Sequence, residues 1–184
     1  MQDDELNALG TAASQGDQKA LQEVLRRARP AVMAACSRIV WCQQDAEEAC
    51  QDALMAVASK IATFDGRAQF TVWLRAVANN SALMTYRRLR AHAQRVQYPA
   101  SLPDRADPRR TSVIAGTRIA LLDAIEQLQV EDPDAAQPFL LREIGGLTYQ
   151  EIVDYLGISL VNVKARIHRA RKRIRAQLGD LRAG

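Results

Sequence analysis

Aromatic side chains supply only 5% of this 184-residue chain, and its three cysteines, Cys36, Cys42 and Cys50, contain no CxxC pair. An odd number of thiols without that spacing argues against a disulfide scaffold and against a thiolate zinc site. The thiols read as buried or idle groups in a reducing cytoplasm, with redox sensing the minor alternative. Only His92 and His168 could add imidazole ligands, and neither is near the cysteines in sequence. No apolar run approaches the ~20 residues of a membrane span, and the acidic start Met1–Glu5 is no signal peptide. A cytoplasmic protein is therefore expected. Acids at metal-binding spacing, a nucleophile–His pair and a phosphate-cradling glycine loop are all missing, so an enzyme acting on nucleic acid lacks support. No cofactor, no metal and no catalytic residue is expected. Repeats and low-complexity tracts are absent too.

What is present is helical material. Hydrophobic residues make up 48% of the chain, and alanine supplies many of them. That mixture favours small helical modules over a sheet, and the length allows one domain or two small ones. The formal charge is only +4, yet it is unevenly placed. From Ser159 onward Lys164, Arg166, Arg169, Arg171, Lys172, Arg173, Arg175 and Arg182 face a single acid, Asp180. Such a local excess points to a polyanion, and nucleic acid is the first candidate.

The most informative stretch is Leu147–Leu178. Thr148 with Glu151 forms a capping box, and Leu147 with Ile152 stands where a hydrophobic staple would sit, so a helix is expected over Tyr149–Tyr155. Gly157 supplies a sharp turn, and Ser159 can cap a second helix. On it Val163, Ile167, Ala170, Ile174 and Leu178 fall in one narrow stripe at ~100° per residue, the face that packs inward. Opposite stand Val161, Ala165, His168, Arg169 and Lys172, flanked by Asn162 and Lys164, with Arg166 nearer the packed edge. This is the pattern of a helix-turn-helix whose second helix enters a DNA major groove. Arg and Lys reach phosphates or guanine edges, and Asn can pair bidentately with adenine. The competing reading is a solvated basic face on an ordinary amphipathic helix.

Earlier in the chain the signals are weaker. Gly16-Asp17 can open a helix carrying Leu21, Val24 and Leu25, which Pro30 is expected to interrupt or bend; Val32–Trp41 then reads as the next helix. Asp45 with Glu48 predicts another capping box and a helix to about Lys60, with Ala46, Ala49, Cys50, Ala53, Leu54, Val57 and Ile61 inward. Its other side shows Glu48, Gln51, Asp52, Met55 and Ser59, read either as a solvated face or, given an exposed thioether, as a partner surface. Phe64–Phe70 reads as a loop with an aromatic at each end. The next helix, Thr71–Arg90, is expected to bury Trp73, Val77 and Met84 and to offer Arg75, Asn79, Ala82 and Tyr86, ending in Arg87-Arg88-Leu89-Arg90. Aromatics, amides and arginines around a loop suit single-stranded nucleic acid, although Trp73 is more often core than a stacking platform. From Ala91 to about Gly116 the prolines Pro99, Pro103 and Pro108 mark a linker. Helical order returns with Ile119, Leu122, Ile125 and Leu128. Asp132-Pro133 can cap a further helix through Phe139-Leu140-Leu141, with Pro138 awkwardly inside it.

Two stretches in this order, DAEEACQDALMAV…FDGRAQFTVWLRAVANN and FLLREIGGLTYQEIVDYLGISLVNVKARIHRARKRI, resemble the two domains of bacterial RNA polymerase sigma factors of the extracytoplasmic-function group. Gly16–Leu21 fits the family's usual opening. The resemblance implies an all-α protein of two small helical domains joined by a flexible linker: a region-2-like domain at 1–92, the linker at 93–116, and a region-4-like helix-turn-helix domain of four-helix type at 117–184. It implies that Glu48, Gln51, Asp52 and Met55 grip the clamp helices of core polymerase, a contact to its beta and beta-prime subunits. Phe64, Arg67, Phe70, Arg75, Asn79, Asn80, Tyr86, Arg87 and Arg88 would hold the melted non-template strand of the minus-ten element. Unstacking a base costs a few kcal/mol, which aromatic contacts and a pocket must offset. Tyr149, Ser159, Asn162, Lys164, Ala165, Arg166, His168, Arg169 and Lys172 would read the minus-thirty-five element as duplex. An anti-sigma protein that masks these surfaces is a further implied partner.

This chain departs from the family in places. Ala76 and Asn79 stand where basic residues are frequent. Glu131-Asp132-Pro133-Asp134 and Pro138 replace a more regular, more basic helix start. Val161-Asn162 replaces a commoner small-residue and threonine pair at the tip of the reading helix, which implies a distinct promoter preference. Asn80 reads equally well as a buried structural amide. The alternative function is an autonomous repressor or activator that binds a palindrome as a symmetric dimer through the same helix-turn-helix.

Overall fold

The structure, a computed structural model, describes residues 2–40, 42–95 and 108–183, and among them there is no strand. Four helices form a first body: α1 (Gln2–Ser14), α2 (Gln18–Ile39), α3 (Gln43–Lys60) and α4 (Phe70–Arg95), with a 3-10 turn at Ile61–Thr63. Four more form a second: α5 (Pro108–Glu131), α6 (Pro133–Glu143), α7 (Tyr149–Leu156) and α8 (Leu160–Ala183). The linker expected at 93–116 is therefore helical at both its ends, through Arg95 and from Pro108. Its remainder, residues 96–107, lies outside the described residues.

In the first body α2 starts where expected, because Asp17 accepts from the amides of Lys19 at 2.9 Å and Ala20 at 3.0 Å. Pro30 does not divide the segment. α2 is one helix, and the expected separate helix over Val32–Trp41 is its second half. An interior proline costs about 3 kcal/mol, but Val24, Ala28, Val32, Cys36 and Ile39 form one buried stripe on both sides of it. That shared burial offsets the loss. α3 begins two residues before Asp45, capped by Cys42 without a side-chain bond, so the expected Asp45–Glu48 capping box does not form. Its inward stripe of Ala46, Ala49, Cys50, Ala53 and Val57 is as expected.

The polar start, which carried no expectation, is α1. It docks through Leu6, Leu9 and Ala13, and Gly10 sets how closely it approaches. A Cβ on Gly10 would overlap the Phe70 ring, so only glycine leaves the slot that this ring fills. Asn7 on α1 also accepts the amide of Thr71 at 3.1 Å, satisfying a first-turn donor of α4. Phe70 stacks on Trp73 at 5.5 Å, and Phe64 meets both rings edge-on.

The second body follows its local signals closely. Asp132 caps α6, with Pro133 in the first turn, and the helix runs through a buried Pro138. Both halves of the Thr148–Glu151 box are present at 3.1 and 2.6 Å. Gly157, in the left-handed region at φ 66°, closes α7. Ser159 accepts the Asn162 amide at 3.3 Å and opens α8. Val163, Ile167, Ala170 and Ile174 are buried, and α7 and α8 form the helix-turn-helix.

The two bodies meet where α4 packs on α7, and the main buried cluster also runs from the first body into Leu122, Ile125, Phe139 and Ile174 of the second. Val72 and Ala76 of α4 are fully buried in one cluster with Leu141, Leu147, Ile152, Val163 and Ile167. Arg75 lies 3.7 Å from Glu151, Arg87 lies 3.7 Å from Glu126, and Arg87 also donates to Gln129. α4 is thus packed on two sides, by α1–α3 and by the second body.

Candidate nucleic-acid interface

The second helix of the helix-turn-helix, α8, presents its outer face to solvent. Val161 is 75% exposed, and Asn162, Lys164, Ala165, His168, Arg169 and Lys172 are exposed as well, with Arg166 intermediate as expected for the packed edge. This is the geometry by which such a helix enters a groove: a small residue at the centre of the face, with donors on either flank. Tyr149 is half-buried, with the Arg142 guanidinium 4.8 Å and the Lys164 ammonium 5.9 Å from its ring centroid. Arg142 also donates to the Leu147 carbonyl at 2.6 Å, fixing the entry to α7. Arg171 is paired with Glu143 at 2.6 Å and so ties α8 to α6.

One flank of α8 is neutralised by the acid run that precedes α6. Arg169 donates through Nε to Asp132 Oδ2 at 2.7 Å and through Nη2 to Oδ1 at 3.2 Å. Arg173 Nη1 lies 3.6 Å from the same carboxylate, and Arg166 lies 3.6 Å from Asp134. The Arg169 guanidinium, chiefly through its hydrogen bonds, holds the Asp132 carboxyl below the usual aspartate value. On the opposite flank and at the centre, Lys164, His168 and Lys172 have no ion pair among the described residues. The sequence shows the acid run but not what it faces. The signal that could have found it is the spacing of Arg166, Arg169 and Arg173 along a single face.

The expected strand-binding set on the first body is divided by the structure. Arg67 is exposed and held by Asp65 at 2.5 Å; Asn80 is exposed, which corrects its reading as a buried structural amide. Phe64 is half-buried. Phe70 is 0% exposed, so it cannot stack on a base: the slot left by Gly10 takes its ring into the core. Asn79, expected on the outer side of α4, is 3% exposed; its Nδ2 donates to the Arg75 carbonyl at 2.7 Å and its Oδ1 has no partner. It sits under Gly145, whose added Cβ would come within 3.2 Å of that amide. Ala82 is buried as well, whereas Met84, expected in the core, is 65% exposed. Both differences follow from the two-sided packing of α4, which a single inward stripe does not describe. Arg75 faces the second body through Glu151, as Arg87 does through Glu126, and Tyr86 is half-buried.

The expected polymerase-gripping face is exposed at Glu48, Gln51 and Met55, the last at 70%, while Asp52 is partly covered. Arg88 bridges Glu48 at 2.6 Å and Asp52 at 3.0 Å, and Thr85 donates to Asp52 at 3.1 Å. Met84 joins Met55 in a cleft of about 420 Å³ lined also by Asp52, Asn80, Ser81 and Arg88. Cys36 and Cys50 are buried and Cys42 is exposed; burial, first of all, pushes the Cys36 thiol up to about 12. Among the described residues no His, Cys, Asp and Glu cluster could hold a metal, and no helix is long and apolar enough to cross a membrane.

Comparison with known proteins bears on both bodies. Residues 24–92 match the family model described as Sigma-70 region 2, and residues 118–174 match Sigma-70, region 4. The RNA polymerase sigma factor CarQ of Myxococcus xanthus is 31% identical over 172 residues, covering 90% of this chain and 93% of CarQ. The ECF RNA polymerase sigma factor SigW of Bacillus subtilis is 27% identical over 176 residues, covering 90% of this chain and 92% of SigW. A solved structure of CnrH in complex with the cytosolic domain of CnrY aligns at 21% identity, over 96% of this chain and 98% of that one, with a TM-score of 0.46.

Proposed function

Because this chain belongs to the sigma-70 family of RNA polymerase sigma factors, in its extracytoplasmic-function group, we propose that it binds core polymerase and directs initiation by reading duplex DNA with α8 and holding an opened strand against α4. The observation that carries this is the pairing of a solvent-facing reading helix on one body with a separate acidic, thioether-bearing face on the other. One surface suits a polyanion and the other a protein. Glu48, Gln51, Asp52 and Met55 are the proposed polymerase contacts. Asn162, Lys164, Ala165, Arg166, His168, Arg169 and Lys172 are the proposed upstream-duplex contacts, supported by Tyr149 and Ser159. For the opened strand the proposal keeps Phe64, Arg67, Asn80 and Arg88. Arg75, Asn79 and Arg87 join them only once the second body has moved off α4. The protein makes and breaks no covalent bond and works in the cytoplasm. An anti-sigma protein is a proposed regulator, whose natural surface would be one of these two faces.

Purified chain added to core polymerase should yield specific starts on a promoter library, with two separated sequence elements in the selected DNA. Tight binding of the chain alone to a palindrome as a dimer, with no association to core, would instead establish the autonomous regulator. That reading predicts one symmetric element rather than two unlike ones.

A further inference from the structure

Arg169 and Asp132 are joined in a particular way. The carboxylate takes the side-on edge of the guanidinium, using the Nε proton and one Nη2 proton at 2.7 and 3.2 Å. The end-on edge, made of one proton from each terminal nitrogen, is left free, and the Arg169 side chain is 48% exposed. That free fork is the shape that meets the N7 and O6 acceptors of guanine in a major groove. Asp132 itself is firmly placed: its side chain is 14% exposed, and its Oδ1 also accepts the Ala135 amide at 3.1 Å as the cap of α6. Arg173, 3.6 Å away, braces the same carboxylate.

We propose that Asp132 is a positioning residue for base recognition: anchored at the start of α6, it holds Arg169 side-on so that the outer fork of the guanidinium reads one guanine of the upstream duplex. This deepens, and rests on, the reading of α8 as the duplex-binding helix. A guanidinium free to swing would lose its rotamer freedom on binding a base. One already fixed by a bidentate carboxylate has lost it on folding, so the correct base is favoured without added ordering. The nearby Lys172 and Lys164 have no such anchor among the described residues and are suited to phosphates, whose positions they can follow as point charges.

The test is a discrimination measurement on the holoenzyme, using duplex selected from a randomised upstream element and variants carrying 7-deazaguanine at each guanine in turn. Wild-type protein should show one guanine whose N7 loss weakens binding by about tenfold, within the range of a bidentate arginine contact. Asp132→Asn keeps an equally good helix cap but loses the charge and the second acceptor; it should reduce the discrimination at that guanine towards unity while leaving affinity for unrelated duplex equal or raised. Arg169→Ala should abolish the same discrimination, and the double variant should lose no more than Arg169→Ala alone. The proposal would be overturned by full discrimination retained in Asp132→Asn, or by additive losses in the double variant. A general loss of affinity at every position, with helix content reduced, would also overturn it, since a purely structural cap behaves that way. If the chain failed to bring polymerase to any promoter, the function proposed above would fall, while the same comparison on the chain alone would still decide the pairing.

Discussion

Ala76→Asp should pull the two bodies apart. Ala76 and Val72 are 0% and 1% exposed, and the cluster that covers them includes Leu147, Ile152 and Val163 of the second body. Full burial of a valine side chain contributes about 2 kcal/mol and an added methyl about 0.8 kcal/mol, so these two side chains contribute roughly 3 kcal/mol to the closed arrangement. The Arg75–Glu151 pair, at 3.7 Å and partly exposed on both sides, adds ~0–1 kcal/mol after screening. An unpaired carboxylate in the same place would cost several kcal/mol, more than the contact supplies. Opening is therefore the cheaper response, and it frees Arg75 and Asn79 as well. Small-angle scattering checks it: a compact chain of this length has a radius of gyration of about 16 Å, and the variant should exceed that by several ångströms with its helix content unchanged. An unchanged radius together with a large fall in melting temperature would refute the reasoning, because Ala76 would then belong to the first body's own core.

Lys172→Ala, at a cation with no acid partner among the described residues, should weaken duplex binding equally for all sequences and reduce the slope of log K against log salt by about 1; a change confined to one base position would contradict a phosphate role. Asp52→Ala removes the acceptor shared by Arg88 and Thr85 and should impair association with core polymerase while leaving duplex binding by α8 intact, as measured by competition for core and by anisotropy on DNA. Cys42 should react with a thiol reagent in the native state, whereas Cys36, buried and held as a neutral thiol up to about 12, should react only on unfolding; rapid modification of Cys36 at neutral pH would contradict the packing. Glu23, held down to about 2 by Arg26 and Arg27, has a folded value below its ordinary 4.5. Its contribution to stability is then complete above pH 4.5 and is lost as pH falls towards 2. Denaturation curves of wild type and Glu23→Gln should accordingly differ at neutral pH and converge in acid.

The parts legible in the sequence are those whose causes are local. Thr148 with Glu151, Gly157 and Ser159 each act on a partner within about one turn, so α7, its stop and the start of α8 follow from a short window. The periodicity of Val163, Ile167, Ala170 and Ile174 then fixes which face of α8 is left exposed. Asp132 shows where this stops. Its cap to Ala135 is local and was expected, while its grip on Arg169, 37 residues away, depends on how α6 crosses α8. The first body fails the local argument more broadly. Asn7 and Thr71 are 64 residues apart, and the fate of Phe70 is decided by a missing Cβ on Gly10. Neither leaves a trace in a helical wheel of α4.

Assigning one inward face to α4 was the underlying error, because a wheel assumes one neighbour and this helix has two. Trp73, Leu74 and Val77 pack in one buried cluster, and Val72 and Ala76 pack in another against Leu141, Leu147 and Ile152. The residues left to meet a ligand are then the few between the two packed stripes, which is why Asn80 and Met84 are exposed and Asn79 is not. A helix with two burial stripes has one of them to spare whenever its second neighbour can leave. For α4 the sparing stripe carries Val72, Ala76 and Asn79, and the neighbour is the body that holds α7 and α8. Anything that takes the Val72, Ala76 and Asn79 stripe must therefore displace α7 and the turn before it, and full separation must also break the Arg87 contacts to Glu126 and Gln129.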